Sequence, residues 1–366
     1  MRQRESWQSI DPGFCGTEDM EEVEKNFVAP LMGYPGLTKT GATVRQALQD
    51  SNAQFEALDA LGRAFSPDVL FCFMDLTAEA EALGARVAFS EGQPPSVVEH
   101  SISVEEDWKA GRVLDPERDG RLRVFIRTME RMKKNLAMAR GAYVTGPLTL
   151  AGEVVGIKKV LKGMIRDDRS VRRLLQFTAE VAKGYAQRLV EAGADIICIL
   201  EPSAALVSPR HYHEFSKGPV EEISGSLDAI TLLHICGDVT PLIPEMIKTR
   251  VHGISIDSAV DIVGVLGQLD GRMAVAGNID PVKEMVFSTP EGVRERVVGL
   301  RMRAQQYERA LVSRCHRVVG EGDDPGQGIH SNFILSTGCD LPPEVPLENI
   351  RAFMEGARES IPRNTC

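Results

Sequence analysis

From residue 69 onward the chain alternates short β-branched or aromatic runs with longer amphipathic stretches, the pattern of repeated strand–helix units. The strand runs are VLFCF (69–73), GAYVTGP (141–147), DIICIL (195–200), TLLHIC (231–236), GISID (253–257), MAVAGN (273–278) and NFILST (332–337). DIICIL is apolar on both faces, as a buried parallel strand should be. Helical periodicity is expected over 44–65, 170–193, 292–314 and 347–359. The run GARVAFSEGQPPSV (84–97), with its two prolines, marks an excursion from the repeating unit. Before residue 60 the chain reads as irregular to helical, with GYPGLTKTGATV as a loop.

Strands alternating with helices this often predict a parallel sheet. A closed barrel and an open doubly wound sheet both fit the order of elements. The barrel is favoured because polar residues stand at the C-terminal ends of many strands: Asp75, Glu201, His234, Asp257, Asn278 and Cys339. In a barrel those ends converge on one mouth, where active sites are built. The expected fold is α/β, a (β/α)8 TIM barrel with an N-terminal helical extension. Residues 1–60 would form the extension packed on the barrel, and 61–366 the catalytic barrel. No GxGxxG or Walker A pattern opens a helix, which removes the usual nucleotide-binding alternatives.

Composition narrows the function classes. The 366 residues are 43% hydrophobic and 26% charged, enough apolar material for a large core. A formal net charge of −10 argues against a nucleic-acid partner, which needs a basic face, and against a membrane-surface role. No apolar run approaches the roughly 20 residues that span a bilayer. The opening MRQRESWQSIDPGF lacks a secretory apolar core. Seven scattered cysteines, an odd number, fit a reducing compartment better than a disulfide framework, so a cytoplasmic protein is expected.

Two of those cysteines carry candidate chemistry. His234 and Cys236 are two apart at the end of an apolar strand, so their side chains share a face. Imidazole and thiolate together favour zinc over magnesium or calcium. Cys339, in STGCDLPP, supplies a second thiolate from a later strand end, and the Asp-Leu-Pro-Pro after it would stiffen the loop. Three protein ligands would leave one position open, as in a catalytic zinc site. Buried cysteine is also a common core residue, so spacing alone leaves both readings open. CxxC pairs and HExxH are absent.

The surrounding text adds more. TGPLTLAGEVVG (145–156), EPSAALVSPRHYHEF (201–215), LLHICGD (232–238), ISIDSAVDI (254–262), AVAGNIDP (274–281) and NFILSTGCDLPPEVPLENIRAFMEGAR (332–358) occur in order. Together they resemble the uroporphyrinogen decarboxylase superfamily. They are more similar to its corrinoid-dependent branch, the methylcobamide:coenzyme M methyltransferases and their bacterial relatives. The resemblance spans roughly residues 40 to 360 and implies zinc held by His234, Cys236 and Cys339. True decarboxylases carry an Arg-rich N-terminal motif that has no counterpart in MRQRESWQSIDPGF. Asp75 stands where the superfamily usually has an acidic residue and does not separate the two activities. The stretch between GNIDP and Cys339 is longer than in the relatives; it reads as a surface insertion in preference to a partner-docking feature, and Cys315-His316 within it as exposed.

The resemblance implies a zinc-dependent methyltransferase acting between a corrinoid of the methylcobalamin type and a small acceptor, a zinc-activated thiol. The corrinoid would be carried by a partner protein, since no DxHxxG motif is present to present a histidine to cobalt. Catalytic roles are assigned to Glu201, Asp75 and Asp257, and a cofactor-binding role to Asn278. Glu201 would be a resting-state metal ligand or a cap on the Pro202 loop. Asp257 and Asn278 would orient zinc ligands or hold the barrel mouth, and Asp75 would meet corrinoid or substrate. His211 and His213 are expected to be solvated or capping, and Glu153 is unassigned. Competing readings are the reverse transfer, from a methylated donor to cob(I)alamin, a metal-free tetrapyrrole decarboxylase, and a non-catalytic scaffold for a corrinoid protein. Assembly into a homo-oligomer is left open.

Overall fold

The β-branched runs become strands because each is buried on both faces. In a computed structural model, which describes residues 27–90, 92–102, 114–269, 273–318 and 332–361, they are Val69–Phe71 (β2), Ala139–Thr145 (β5), Ile196–Leu200 (β6), Ile230–Ile235 (β7), Gly253–Ile256 (β8), Ala274–Ile279 (β9) and Phe333–Thr337 (β10). All of β2, β5, β6 and β10 is buried. With Phe27–Val28 (β1) they form one eight-stranded parallel sheet in the order β1-β10-β9-β8-β7-β6-β5-β2. The two ends of that sheet meet. The Asp68 N–H donates to Val28 O at 2.9 Å, and the Val28 N–H donates to the Asp68 carboxylate at 2.8 Å. The sheet is a barrel, nearly closed, with helices around it.

The first barrel strand, β1, lies inside the 1–60 stretch that the sequence reading gave to an extension. At two residues it is too short to show a period. The same stretch supplies helices Leu37–Thr40, Val44–Gln49 and Ser51–Phe65. The expected single helix 44–65 is divided at Asp50, which takes an extended backbone and accepts the Asn52 N–H as an N-cap. Residues 1–26 of the proposed extension lie outside the described residues.

The remaining helices follow their apolar spacing. Asp168–Ala192 buries Val171, Leu174, Leu175, Thr178, Ala182, Tyr185 and Leu189 on one face, and ends at Gly193. Leu347–Arg358 buries Ile350, Phe353, Met354 and Ala357. Pro290–Val318 runs past the expected end at 314, so Cys315 and His316 belong to a helix; their side chains, and the loop after Val318 as far as Ser331, lie outside the described residues. The excursion at 84–97 contains an antiparallel hairpin, Arg86–Ala88 (β3) with Ser96–Glu99 (β4), outside the barrel sheet. No helix among the described residues is long and apolar enough to cross a membrane.

Candidate metal centre

In a parallel sheet, residues in register on adjacent strands point to the same side. His234 of β7 is in register with Ser255 of β8, and its Nδ1 lies 3.0 Å from Ser255 Oγ. That contact leaves Nε2 to face the mouth, 3.0 Å from Cys236 Sγ. Cys236 Sγ is in turn 3.5 Å from Cys339 Sγ, delivered from the loop after β10. One ligand atom from each of the three residues falls within 4.8 Å of the others, and His234 is buried. Zinc with roughly 2.3 Å bonds to sulfur and 2.0 Å to nitrogen sets about 3.8 Å between two sulfurs and about 3.5 Å between nitrogen and sulfur. The donor set suits that ion, and the 3.0 and 3.5 Å separations lie within about half an ångström of those spacings.

Two glycines allow this convergence. Gly237, directly after Cys236, takes φ +86, a left-handed conformation that turns the chain away once the sulfur is placed. Gly338, directly before Cys339, lies so close to the loop after β8 that a Cβ there would sit 2.5 Å from Ser258 N. The two thiols are coupled. Their hydrogen bond holds Cys236 below the ordinary thiol range, while the same bond together with burial pushes Cys339 up.

The other strand-end residues take up distinct positions. Asp257 accepts the Gly237 N–H at 3.0 Å, the Ala259 N–H at 3.0 Å and the Ser258 hydroxyl at 3.2 Å, so it pins the turn that carries Cys236. Asn278 donates through Nδ2 to the carbonyls of Asp257 and Val260, at 2.9 and 2.7 Å, and so holds the loop after β8. Neither is drawn into the His–Cys–Cys cluster.

Glu201 is fully buried, and its carboxylate is committed elsewhere. It accepts from Thr149 N–H and Oγ1, both at 2.6 Å, from Leu148 N–H at 3.0 Å and from Ser216 Oγ at 3.3 Å. It thus caps the short helix Pro147–Ala151, and burial raises its carboxyl to about 7. Asp75 is buried with Arg121, whose guanidinium donates to it at 2.5 Å, to Glu81 at 2.5 Å and to Thr77 Oγ1 at 2.9 Å. Phe89, beside the hairpin strand β3, stacks on Arg121 at 4.9 Å.

On the surface, His211 donates its N–H to the Ser208 cap, and His213 pairs with Glu245 at 2.8 Å. The Glu153 carbonyl lies 2.8 Å from His100 Nδ1, and burial raises its carboxyl.

Sequence reasoning missed Ser255, Arg121 and Glu79. Glu79 is buried beneath Thr145, accepting its N–H at 2.6 Å and its hydroxyl at 2.9 Å, and burial raises it to about 7. Ser255 had one signal, its inward position in GISID. Arg121 and Glu79 had none, being charged residues in charged helical stretches.

The uroporphyrinogen decarboxylase (URO-D) family model matches residues 31–360. The methylcobamide:CoM methyltransferase MtbA of Methanosarcina acetivorans is 30% identical over 293 residues, 78% of this chain and 77% of the relative. A uroporphyrinogen decarboxylase of Prochlorococcus marinus is 25% identical over 344 residues, 89% of this chain and 88% of the relative. Among solved structures, a methyltransferase from Methanosarcina mazei superposes with a TM-score of 0.79 at 20% identity, covering 96% of each chain, and so shares the barrel fold. The chain belongs to the uroporphyrinogen decarboxylase family, and within it is related to the corrinoid-dependent methylcobamide:CoM methyltransferases.

Proposed function

We propose that this chain is a zinc-dependent methyltransferase that moves a methyl group from a corrinoid, presented by a partner protein, to a small thiol. The observation that carries the reading is the convergence of His234 Nε2, Cys236 Sγ and Cys339 Sγ within 4.8 Å at the barrel mouth. Three donors of this type would hold zinc and leave one position of four for a substrate atom. Zinc, when bound, would supply the Lewis acidity that favours the thiolate of a substrate thiol, whose free pKa near 8.5 leaves little anion at neutral pH.

The chain's own residues prepare that site. Ser255 fixes the His234 ring through Nδ1, and Asp257 fixes the backbone beside Cys236. Cys236 and Cys339, as thiolate ligands, would keep a bound zinc electron-rich, which would suit a sulfur nucleophile better than a hydrolytic water. The acceptor sulfur attacks the methyl carbon in line with cobalt, and the cobalt–carbon bond breaks with both electrons left on cobalt. The acceptor's proton goes to solvent.

A decarboxylase needs cationic groups for the carboxylates of a tetrapyrrole, whereas Arg121 beside Asp75 is already paired with Asp75 and Glu81. The test is to mix the zinc-loaded protein with methylcobalamin and a panel of thiols and follow loss of the methyl-cobalt absorbance. Thiol-dependent demethylation abolished by Cys236→Ala supports the proposal. Equal rates with and without the protein, for every thiol, overturn it.

A further inference from the structure

The chain carries its charge unevenly. Between Lys158 and Arg173 seven Lys and Arg side chains stand against two carboxylates, Asp167 and Asp168. That is a net +5 in a chain of formal net charge −10, so the remainder stands at −15. Lys158, Lys159, Lys162, Arg166, Arg169 and Arg173 are exposed, and none has an ion-pair partner among the described residues. Elsewhere exposed arginines are paired, as Arg127 is with Glu130 and Arg188 with Glu191.

The helix Ile157–Arg166 gathers these charges on one face. It turns Val160 and Met164 inward, and the spacing then sets Lys158, Lys162, Ile165 and Arg166 outward. The inner side is tightly packed, since a Cβ at Gly163 would lie 2.6 Å from Val171 Cγ2. Ile165, amid the cations, is 80% exposed, the highest value for a large apolar side chain among the described residues.

This face lies on the rim of the barrel mouth. It belongs to the excursion that follows β5, at the strand ends where barrel active sites are built. The Ser203 N–H donates to Thr149 Oγ1 at 3.1 Å, and Arg172 donates to Glu214 O at 2.6 Å and stacks on Phe215 at 4.5 Å. The excursions after β5 and β6 are thereby one rim. It reaches the metal centre through Glu201, whose N–H donates to His234 O at 2.8 Å.

An acidic protein approaching the mouth is repelled by most of this chain and attracted to the basic rim. An exposed apolar side chain ringed by cations also suits an interface, with its apolar centre and polar border. A second copy offers acidic surface too, but basic-to-acidic contact between copies is head-to-tail and does not close into a dimer. An anionic membrane is a poorer match, because with Val160 and Met164 buried Ile165 alone would enter the lipid.

We infer that the rim centred on Lys158, Lys162, Ile165 and Arg166 is the surface on which an acidic corrinoid-carrying protein docks. The inference rests on the methyl-transfer reading above and adds to it the place where the partner binds.

The probe is a recombinant corrinoid protein of net negative charge from the same cells, bearing a DxHxxG motif, loaded with methylcobalamin and fluorescently labelled. Its affinity for the chain is read by anisotropy. Wild-type affinity should fall about tenfold as salt rises from about 50 to about 300 mM. The triple variant Lys158→Glu, Lys162→Glu and Arg166→Glu should bind about tenfold or more weaker at low salt and lose most of that dependence. Ile165→Asp should weaken binding about threefold or more. Lys134→Glu with Arg250→Glu, both exposed at the opposite end of the barrel ahead of β5 and β8, should stay within about twofold of wild type. If the triple variant does not fold, glutamine at the same three positions should show the same loss at smaller size. A triple variant that binds like wild type, a control weakened as much, or a wild type that does not bind the probe overturns the inference. Rim-dependent binding to phosphatidylserine vesicles, or rim-dependent self-association in sedimentation, in place of probe binding overturns it as well. Thiol-dependent demethylation of free methylcobalamin, measured in parallel, needs no docking. Its presence beside any of these failures leaves the methyl-transfer reading standing, and its absence overturns that reading and the inference with it.

Discussion

Glu201→Gln separates a buried cap from a surface carboxylate, because burial pushes the Glu201 carboxyl up from the ordinary 4.5 to about 7. The cause is burial, and the four hydrogen bonds from Leu148, Thr149 and Ser216 offset only part of it. A folded-state pKa above the unfolded one means that the native chain holds this proton more tightly. The stability gained is therefore fully present below about pH 4.5 and is lost as pH rises through about 7. Between pH 8 and pH 5.5 the Glu201 proton alone should add about 2 kcal/mol of stability to wild type. Glutamine has no such proton. Its amide also places a donor where either Leu148 N–H or Thr149 N–H needs an acceptor, a mismatch of about 1–3 kcal/mol at every pH. The assay is urea unfolding of both proteins at half-unit steps from pH 5.5 to 8.5. The gap between the wild-type and Gln curves should be smallest near pH 8.5 and widen by about 2 kcal/mol toward pH 5.5. Glu79, which burial also raises to about 7, is present in both and cancels from the comparison. Parallel curves would refute the reasoning, since they require Glu201 to titrate alike in the folded and unfolded chains.

Arg121→Met should destabilise the fold by about 3–5 kcal/mol, because it leaves the buried Asp75 carboxylate without its charge partner; thermal or urea unfolding reads this directly, and Asp75→Asn combined with Arg121→Met should recover part of the loss. Ser255→Ala should leave the barrel folded but weaken zinc retention about 10- to 100-fold, since the His234 ring loses the contact that orients it; competition with a chromophoric chelator measures this, and unchanged affinity would remove Ser255 from the site.

The legible part of this fold was its inner sheet. Runs such as DIICIL and NFILST are apolar on both faces because parallel barrel strands are, and they fell where the sheet has β6 and β10. The strand β1 was invisible because two residues carry no period, and its place in the barrel depends on the Asp68 carboxylate and backbone, 40 residues away. The candidate metal cluster was legible for a related reason. His234 and Cys236 sit at i and i+2 on a strand whose apolar length is unmistakable, and GCDLPP marks a strand end.

The partners of these residues were not legible. That Ser255 backs His234, and that Asp257 holds the turn at Gly237, follows from the register of β7 against β8, which local patterning does not encode. Glu201 and Asp75 were read from their position at strand ends. Their actual donors, Thr149 and Arg121, lie 52 and 46 residues away in segments whose own pattern gives no hint of the pairing.

The most direct test of the account is the metal content of the purified wild-type chain beside Cys339→Ser, both kept reduced and supplied with zinc. About one zinc per wild-type chain, sharply reduced in Cys339→Ser while its circular dichroism stays that of a folded barrel, is the result predicted by three converging ligands. A wild type that retains no zinc, or a Cys339→Ser variant that retains it in full, would contradict the claim that His234, Cys236 and Cys339 form the catalytic metal centre.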